Sequence, residues 1–568
     1  MTTLVDTRPA IVEAGPVRRA WRAPLWAHAA VLSLLVLVLF PLMRPTSSFT
    51  SDEGAYALQV ATLENGAWEY DYRAAPLDPE GRAFPIILSD SGPDGYYTYV
   101  KHPAYPLLLQ ASSRLVGRTL GLHLFGLLGV VGTAVAAWLL AGELDPRRRR
   151  AAFWLAAGGP VLVNGFLIWA HAPSAALAGL ALAAAARIAR RGLTPWAAGA
   201  MTAALAAGVL LRSEGLLLAG ALAVSLAAVR FLQTRRLTTA LTVAGVTAGP
   251  ALCVAVVERW WVSSIVGGSY AGVAGQGSAS TSSFVADRLT GAWHVLFKGW
   301  FIDAGAGVAV LAALAVVAGG GFVALRRPGR GLPVVVAVAV ALLAVRFAAH
   351  PHDPVTGLLS AWPLAVLGLL LFRWRDAGPV AWLLGGTVAI FALATLATQY
   401  PGGGGLEWGG RYLSPALVPL AVLAAAGLAR AVAGVADEAA RRRAVALLAA
   451  LGVAFAVFSL ATAGALRVRE DRIIAAVERH PSPVMVTTRP ALPRLAWRAG
   501  DRLNWMLTDD AGLPDLIASL RAQGVPEVAV VAGLRAPPSA LSAYPSLQEL
   551  EEPALADDGL RMVIARDR

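Results

Sequence analysis

The chain has 568 residues, of which 57% are hydrophobic and only 15% charged, and its mean hydropathy is +0.60. Those values exclude an ordinary soluble protein and describe a polytopic membrane protein. The balance of 48 Lys and Arg against 36 Asp and Glu gives +12, but the excess sits in short clusters between apolar runs. It reads as membrane topology and anionic headgroups, with no nucleic-acid partner.

Residues 1–23 form a cytoplasmic tail carrying Arg8, Arg18, Arg19 and Arg22. The apolar run from about Pro24 to Met43 is long enough to cross a core of ~30 Å at ~1.5 Å per residue. It ends Phe40-Pro41-Leu42-Met43-Arg44, without the small residues of a cleaved signal. It is therefore read as a retained first span with the amino terminus inside.

Further apolar runs begin near Leu120, Ala151, Pro173, Trp196, Gly215, Leu237, Ala304, Leu332, Thr356, Pro379, Leu413 and Ala444, for about thirteen spans in a transmembrane region covering 24–466. Every second connection is Arg-rich, among them Arg147 to Arg150, Arg326-Arg327-Pro328-Gly329-Arg330 and Arg441-Arg442-Arg443. The positive-inside rule puts these in the cytoplasm. The alternate connections then face out: a first exterior loop at about 44–118, the turn at Arg212-Ser213-Glu214, residues 258–303, His350 to Pro354, Gln399 to Tyr412, and everything after about Leu466. His102, His171, His294, His350, His352 and His480 all fall on that side. The expected location is the plasma membrane, with any chemistry on its outer face.

Residues 467–568 read as a small exterior α/β domain. Val484 to Thr488, Arg502 to Leu507 and Val528 to Ala532 have strand character, Leu513 to Gln523 is an amphipathic helix, and the alternation predicts a parallel sheet. It has no phosphate-binding glycine pattern, which favours an accessory or acceptor-docking role. The single Cys253 lies in an apolar run and excludes a disulfide framework.

Chemistry concentrates in the exterior loops. In Thr50-Ser51-Asp52-Glu53-Gly54-Ala55-Tyr56, Thr50 and Glu53 fit a capping box that starts a helix lying along the membrane surface and ending at Asn65-Gly66. Glu53 is thus open to a structural and a catalytic reading. Asp52 has only the helix dipole as a structural reason, worth ~0.3–1 kcal/mol. The loop returns to the membrane through Lys101-His102-Pro103-Ala104-Tyr105-Pro106-Leu107, and aromatic belts do not account for its cation and imidazole. His350-Pro351-His352-Asp353-Pro354 offers three candidate ligands for a divalent metal. Prolines space them poorly for one ion, and a polar loop lining a substrate site is the competing reading.

An acidic pair in the first exterior loop, a surface helix and a His-Pro-x-Tyr-Pro-Leu return resemble the GT-C superfamily of membrane glycosyltransferases. That group includes protein O-mannosyltransferases, aminoarabinose transferases and mycobacterial cell-wall arabinosyl- and mannosyltransferases. Glu407-Trp408-Gly409-Gly410-Arg411-Tyr412-Leu413-Ser414-Pro415 is similar to the late Gly-x-Arg-Tyr-Leu-x-Pro segment of many members. The resemblance covers roughly residues 20–430. It implies inverting transfer of a sugar, mannose or a pentose such as arabinose, from a polyprenyl-phosphate carrier to a glycan, lipid or protein acceptor of the cell envelope.

On that resemblance Asp52 is the general base, with Glu53 beside it. Arg411 is the first choice for the carrier phosphate, and Lys101 and Arg212 are second choices, although Arg212 and Glu214 also read as a simple ion pair. His102, Tyr56, Glu407, Trp408, Tyr412, His171, His352 and Asp353 are candidate substrate contacts. Glu407 would orient Arg411 or the sugar, and Trp408 would stack on a pyranose face, unless both are merely interfacial. His171, in Ala170-His171-Ala172-Pro173, stands where relatives often carry an acid, so no second catalytic carboxylate is expected there. A transporter or flippase of lipid-linked saccharides and a non-catalytic scaffold are the alternatives. The first would place ionisable residues at the bilayer midplane, whereas here they gather at exterior helix ends.

Overall fold

The computed structural model describes residues 23–86, 95–98, 102–266, 281–326, 331–398, 407–499, 502–533 and 541–567, and side chains within these except at 281–283. Among them, ten helices are long and apolar enough to cross a membrane: Leu25–Leu42, Arg118–Leu144, His171–Arg191, Glu214–Thr234, Leu237–Val266, Ala304–Arg326, Gly331–Ala349, Pro379–Thr398, Arg411–Ala433 and Glu438–Glu478. The other three apolar runs give shorter pieces. Pro195–Leu211 has 17 residues. The run after Ala151 breaks at Gly158-Gly159-Pro160 into Arg149–Ala157 and Val161–Asn164. The run after Thr356 breaks at Trp362-Pro363 into Leu358–Ala361 and Pro363–Leu371. Proline removes a donor and clashes with the preceding turn, and these two runs break there, whereas the Leu237–Val266 helix continues through Pro250.

Small residues let the helices pack closely. Gly129 lies against the backbone of Ala172, and Gly427 lies against the Gly368 carbonyl, so that an added Cβ at either would sit within 2.5 Å of backbone atoms. Between apolar helices in lipid, such close approach is a main source of association.

The Glu438–Glu478 helix has 41 residues, about 60 Å at 1.5 Å per residue, roughly twice the hydrocarbon thickness. It carries the chain out of the bundle to a five-stranded sheet: β1 (Met485–Thr487), β2 (Trp505–Leu507), β3 (Glu527–Gly533), β4 (Ser546–Leu550) and β5 (Leu560–Arg566). The order is β2-β1-β3-β5-β4. The three strands expected from sequence pair in parallel, with Val486 opposite Met506 and Val530. Two further strands add an antiparallel edge, with Val530 opposite Val563 and Gln548 opposite Ile564. The sheet is mixed rather than parallel throughout.

The sheet does not close its core alone. Tyr72, Ala83, Phe84 and Ile86 of the first loop pack with Val486, Met506, Ile517 and Val530, and the Leu507 amide donates to the Ala83 carbonyl at 2.8 Å. The first loop is thus held between the helix bundle and the sheet.

Candidate active site

The Ser51–Glu64 helix begins with the expected capping box. The Asp52 amide donates to Thr50 Oγ1 at 3.2 Å, and the Thr50 amide donates to Glu53 Oε2 at 3.0 Å. Glu53 does more than cap. The Phe49 amide also donates to Oε2, at 2.5 Å, while Oε1 accepts from the Ile168 amide at 3.0 Å and from Arg467 at 3.1 Å. Arg467 in turn donates to the carbonyls of Met43 and Phe166. Glu53 and Arg467 are both wholly buried. Together they satisfy irregular backbone at 166–168 that no helix serves, the only way such backbone persists inside a bundle. Both Glu53 oxygens are consumed by this network. The catalytic half of the expectation for Glu53 therefore gives way to the structural half.

Asp52, one residue earlier on the same helix, points elsewhere. Its Oδ2 accepts from Arg411 Nη1 at 2.6 Å, across 359 residues of sequence. Its Oδ1 lies 3.7 Å from Arg494 Nη1. The side chain keeps 30% of its surface exposed, against 11% for Arg411 and 9% for Arg494. Burial opposes ionisation of Asp52, but Arg411, Arg494 and Arg212 together outweigh it and hold the carboxyl below its ordinary value.

Arg411 is aimed by the loop before it. The amides of Gly409 and Gly410 donate to the carbonyls of Val355 and Thr356 at 2.8 and 2.6 Å. Both glycines are left-handed, with φ of 61° and 63°. A Cβ on Gly410 would lie 2.5 Å from the Val295 carbonyl oxygen, and one on Gly409 as close to Pro160. Only glycine meets both demands. The guanidinium then sits over the rings of Trp169 and Tyr412, 5.3 and 5.1 Å from their centroids, and donates to the Tyr412 hydroxyl at 3.2 Å. Its Nε lies 3.3 Å from Glu407 Oε2 without forming a hydrogen bond. Burial pushes the fully buried Glu407 carboxyl up to about 7, with the nearby Asp52 charge adding to the rise and Arg411 opposing it.

The other predicted residues divide. Arg212 makes a two-pronged pair with Glu214, at 3.0 and 2.6 Å, and its charge reaches Asp52. His102 lies 2.5 Å from Glu258 at Nδ1 and accepts from the Ser213 amide at Nε2, 3.2 Å. With both nitrogens engaged and a left-handed φ of 55°, it acts as a strut between the first loop and the Arg212 turn. His171 is buried with its ring 4.5 Å from Trp169. Tyr56 is buried edge-on against Tyr105. Lys101 lies outside the described residues.

Three candidates fall away as substrate contacts. Trp408 is 1% exposed and packs toward Phe458, so no sugar reaches its face. Asp353 accepts from the amides of Phe301, Ile302 and Asp303 at 2.7, 2.7 and 3.1 Å. His352 Nδ1 lies 3.2 Å from the Ala465 carbonyl oxygen. These two side chains organise local backbone, and the His350 to Asp353 segment does not fit a metal. Among the described residues no three His, Cys, Asp or Glu side chains gather as ligands would.

Arg467, Trp169, Glu258 and Arg494 carry no local sequence signal of a role at the site. Each acts across a long chain separation, and Arg467 sits in a charged stretch that resembles a solvated surface.

No family model matches the chain, and no curated protein sequence matches it. Solved structures do. ArnT from Cupriavidus metallidurans in the apo state superposes with a TM-score of 0.50 at 14% identity, over 96% of this chain and 98% of that one. The chain shares its fold with that protein. The same ArnT bound to undecaprenyl phosphate matches at a TM-score of 0.49 and 14% identity, over 95% and 98% of the two chains. The apo oligosaccharyltransferase of Archaeoglobus fulgidus matches at 0.46 and 14%, over 91% of this chain and 70% of its own. The likeness to apo ArnT covers the sheet region as well as the helices.

Proposed function

We propose that the protein transfers a monosaccharide from a polyprenyl-phosphate carrier to a cell-envelope glycan, lipid or protein acceptor on the outer face of the membrane, with inversion. The observation that carries this reading is the Asp52–Arg411 pair. A partly exposed carboxylate and a guanidinium, drawn from opposite ends of the bundle sequence, meet at 2.6 Å.

The two groups suit the two ends of the reaction. Asp52 is ionised at neutral pH and takes the proton of the acceptor hydroxyl as its oxygen attacks the anomeric carbon. The bond from that carbon to the phosphate oxygen breaks, and the carrier phosphate leaves with the electron pair. Arg411 meets the charge that develops there, because a guanidinium binds phosphate oxygens in the geometry it uses for carboxylates. In the resting protein Asp52 occupies Arg411. An arriving phosphate competes for the same cation and frees the base. Tyr412 and Trp169 hold the guanidinium in place during that exchange.

The test is release of polyprenyl phosphate by purified protein in liposomes supplied with synthetic polyprenyl-phosphate hexoses and pentoses and a cell-envelope acceptor extract. Sugar transfer with an inverted anomeric centre by NMR supports the reading. Absence of transfer from every donor, by protein that remains folded, rejects it.

A further inference from the structure

Three guanidinia, those of Arg212, Arg411 and Arg494, act on Asp52. Arg212 and Glu214 answer each other in a two-pronged pair. Asp52 hydrogen-bonds to Arg411. Glu407 lies beside Arg411, 3.3 Å from its Nε. Arg494 is then left over. It is 93% buried, with a relative exposure of 7%, and two of its nitrogens, Nε and Nη1, have no hydrogen-bond partner. Its nearest carboxylate oxygen, on Asp52, stands at 3.7 Å, within Coulombic range but beyond a hydrogen bond. A buried guanidinium short of hydrogen-bond partners is expensive, and it faces the most exposed acid of the site.

Arg494 also arrives from an unexpected direction. It lies in the Leu492–Leu495 turn between β1 and β2, outside the helix bundle. The turn is pressed onto the Ser51–Glu64 helix at Gly54, where an added Cβ would sit 1.8 Å from the Arg494 carbonyl oxygen. Next to it, Trp497 Nε1 donates to Ser48 Oγ at 3.1 Å. The backbone of Arg494 is therefore fixed against the helix that carries Asp52, while its head group stays unsatisfied.

We propose that the sheet region supplies part of the binding site: Arg494, with Arg411, takes a non-bridging oxygen of a substrate phosphate. This rests on the carrier-phosphate reading above and extends it, since it makes the sheet a contributor to the site rather than an accessory. A phosphate monoester, as borne by the spent carrier, or free inorganic phosphate presents the oxygens required. Two guanidinia suit the more highly charged spent form.

The experiment measures binding to full-length protein in detergent of three probes: undecaprenyl phosphate, undecaprenol and inorganic phosphate. Wild type should bind undecaprenyl phosphate more tightly than undecaprenol. Arg494→Gln should weaken undecaprenyl phosphate about tenfold, as loss of a charge-assisted hydrogen bond does, and leave undecaprenol unchanged. Arg494→Lys, which keeps the charge and most of the stem, should fall between them. Equal weakening of both lipids by Arg494→Gln means a packing defect and overturns the proposal. So does wild-type affinity for undecaprenyl phosphate in Arg494→Gln, and if Arg411→Lys is weakened in that case, the carrier reading survives alone. Binding of inorganic phosphate but not undecaprenyl phosphate, lost in Arg494→Gln, keeps the anion site and rejects the carrier. Binding of no phosphate by folded wild type overturns both.

Discussion

Replacing Glu53 tests whether this acid is structural. Its Oε1 faces two donors, Ile168 N–H and Arg467, and its Oε2 faces two more, Phe49 N–H and Thr50 N–H. An amide is therefore no substitute: in either orientation of Glu53→Gln, an NH2 group is driven against N–H donors. The change also leaves Arg467 buried without its counter-charge, for which removal of one partner of a buried pair costs about 3–5 kcal/mol. Glu53→Ala should cost a similar amount, and Glu53→Ala with Arg467→Met should be less destabilised than Glu53→Ala alone, because the stranded charge is gone. Unfolding in mixed SDS micelles gives the free energies. Glu53→Gln within about 0.5 kcal/mol of wild type, the range of ordinary surface changes, would refute the reasoning.

Gly410→Ala places a Cβ at φ 63° and 2.5 Å from the Val295 carbonyl oxygen; strain of about 1–2 kcal/mol and a displaced Arg411 should lower transfer more than stability, with a hundredfold loss as the scale of a 1 Å misplacement. Wild-type turnover in that variant would contradict the aiming role of the loop. The folded protein holds the Glu407 proton up to about 7 whereas the unfolded chain releases it near 4.5, so the folded state binds more protons between those values. Stability should fall as pH rises through that window, by up to about 3 kcal/mol, and level off above it. Unfolding of Glu407→Gln at pH 5 and pH 8 should show a smaller fall, and an unchanged one would rule Glu407 out. Asp353→Ala strips an acceptor from three backbone amides and should destabilise by about 2–3 kcal/mol without altering transfer by the folded fraction; selective loss of transfer would return Asp353 to the substrate site.

The parts of the site legible in the sequence are those written in local order. Thr50 to Glu53 announces a helix start, and the likeness of Gly409 to Pro415 to the Gly-x-Arg-Tyr-Leu-x-Pro segment singles out Arg411. Pairing between segments has no local trace. Arg467 lies in Arg467-Val468-Arg469-Glu470-Asp471-Arg472, which reads as a charged helix end, yet it is wholly buried because irregular backbone at 166–168 needs a donor. Arg494 lies among prolines and alanines beyond the recognisable motifs. About thirteen spans are expected from the apolar runs, and ten helices are long and apolar enough to cross; the runs after Ala151 and Thr356 break at glycine and proline visible in the sequence, and Pro195–Leu211 has 17 residues. The central residues of β4 are exposed, so Ser546–Leu550 lacks the apolar alternation that marks a half-buried strand.

Transfer from polyprenyl-phosphate sugars by Asp52→Asn tests the account most directly. Asparagine keeps the size of the side chain and removes its capacity to take a proton. The account predicts transfer lower by about 10²–10⁴-fold, with undecaprenyl phosphate still bound because Arg411 and Arg494 remain. Transfer by Asp52→Asn at the wild-type rate would contradict it.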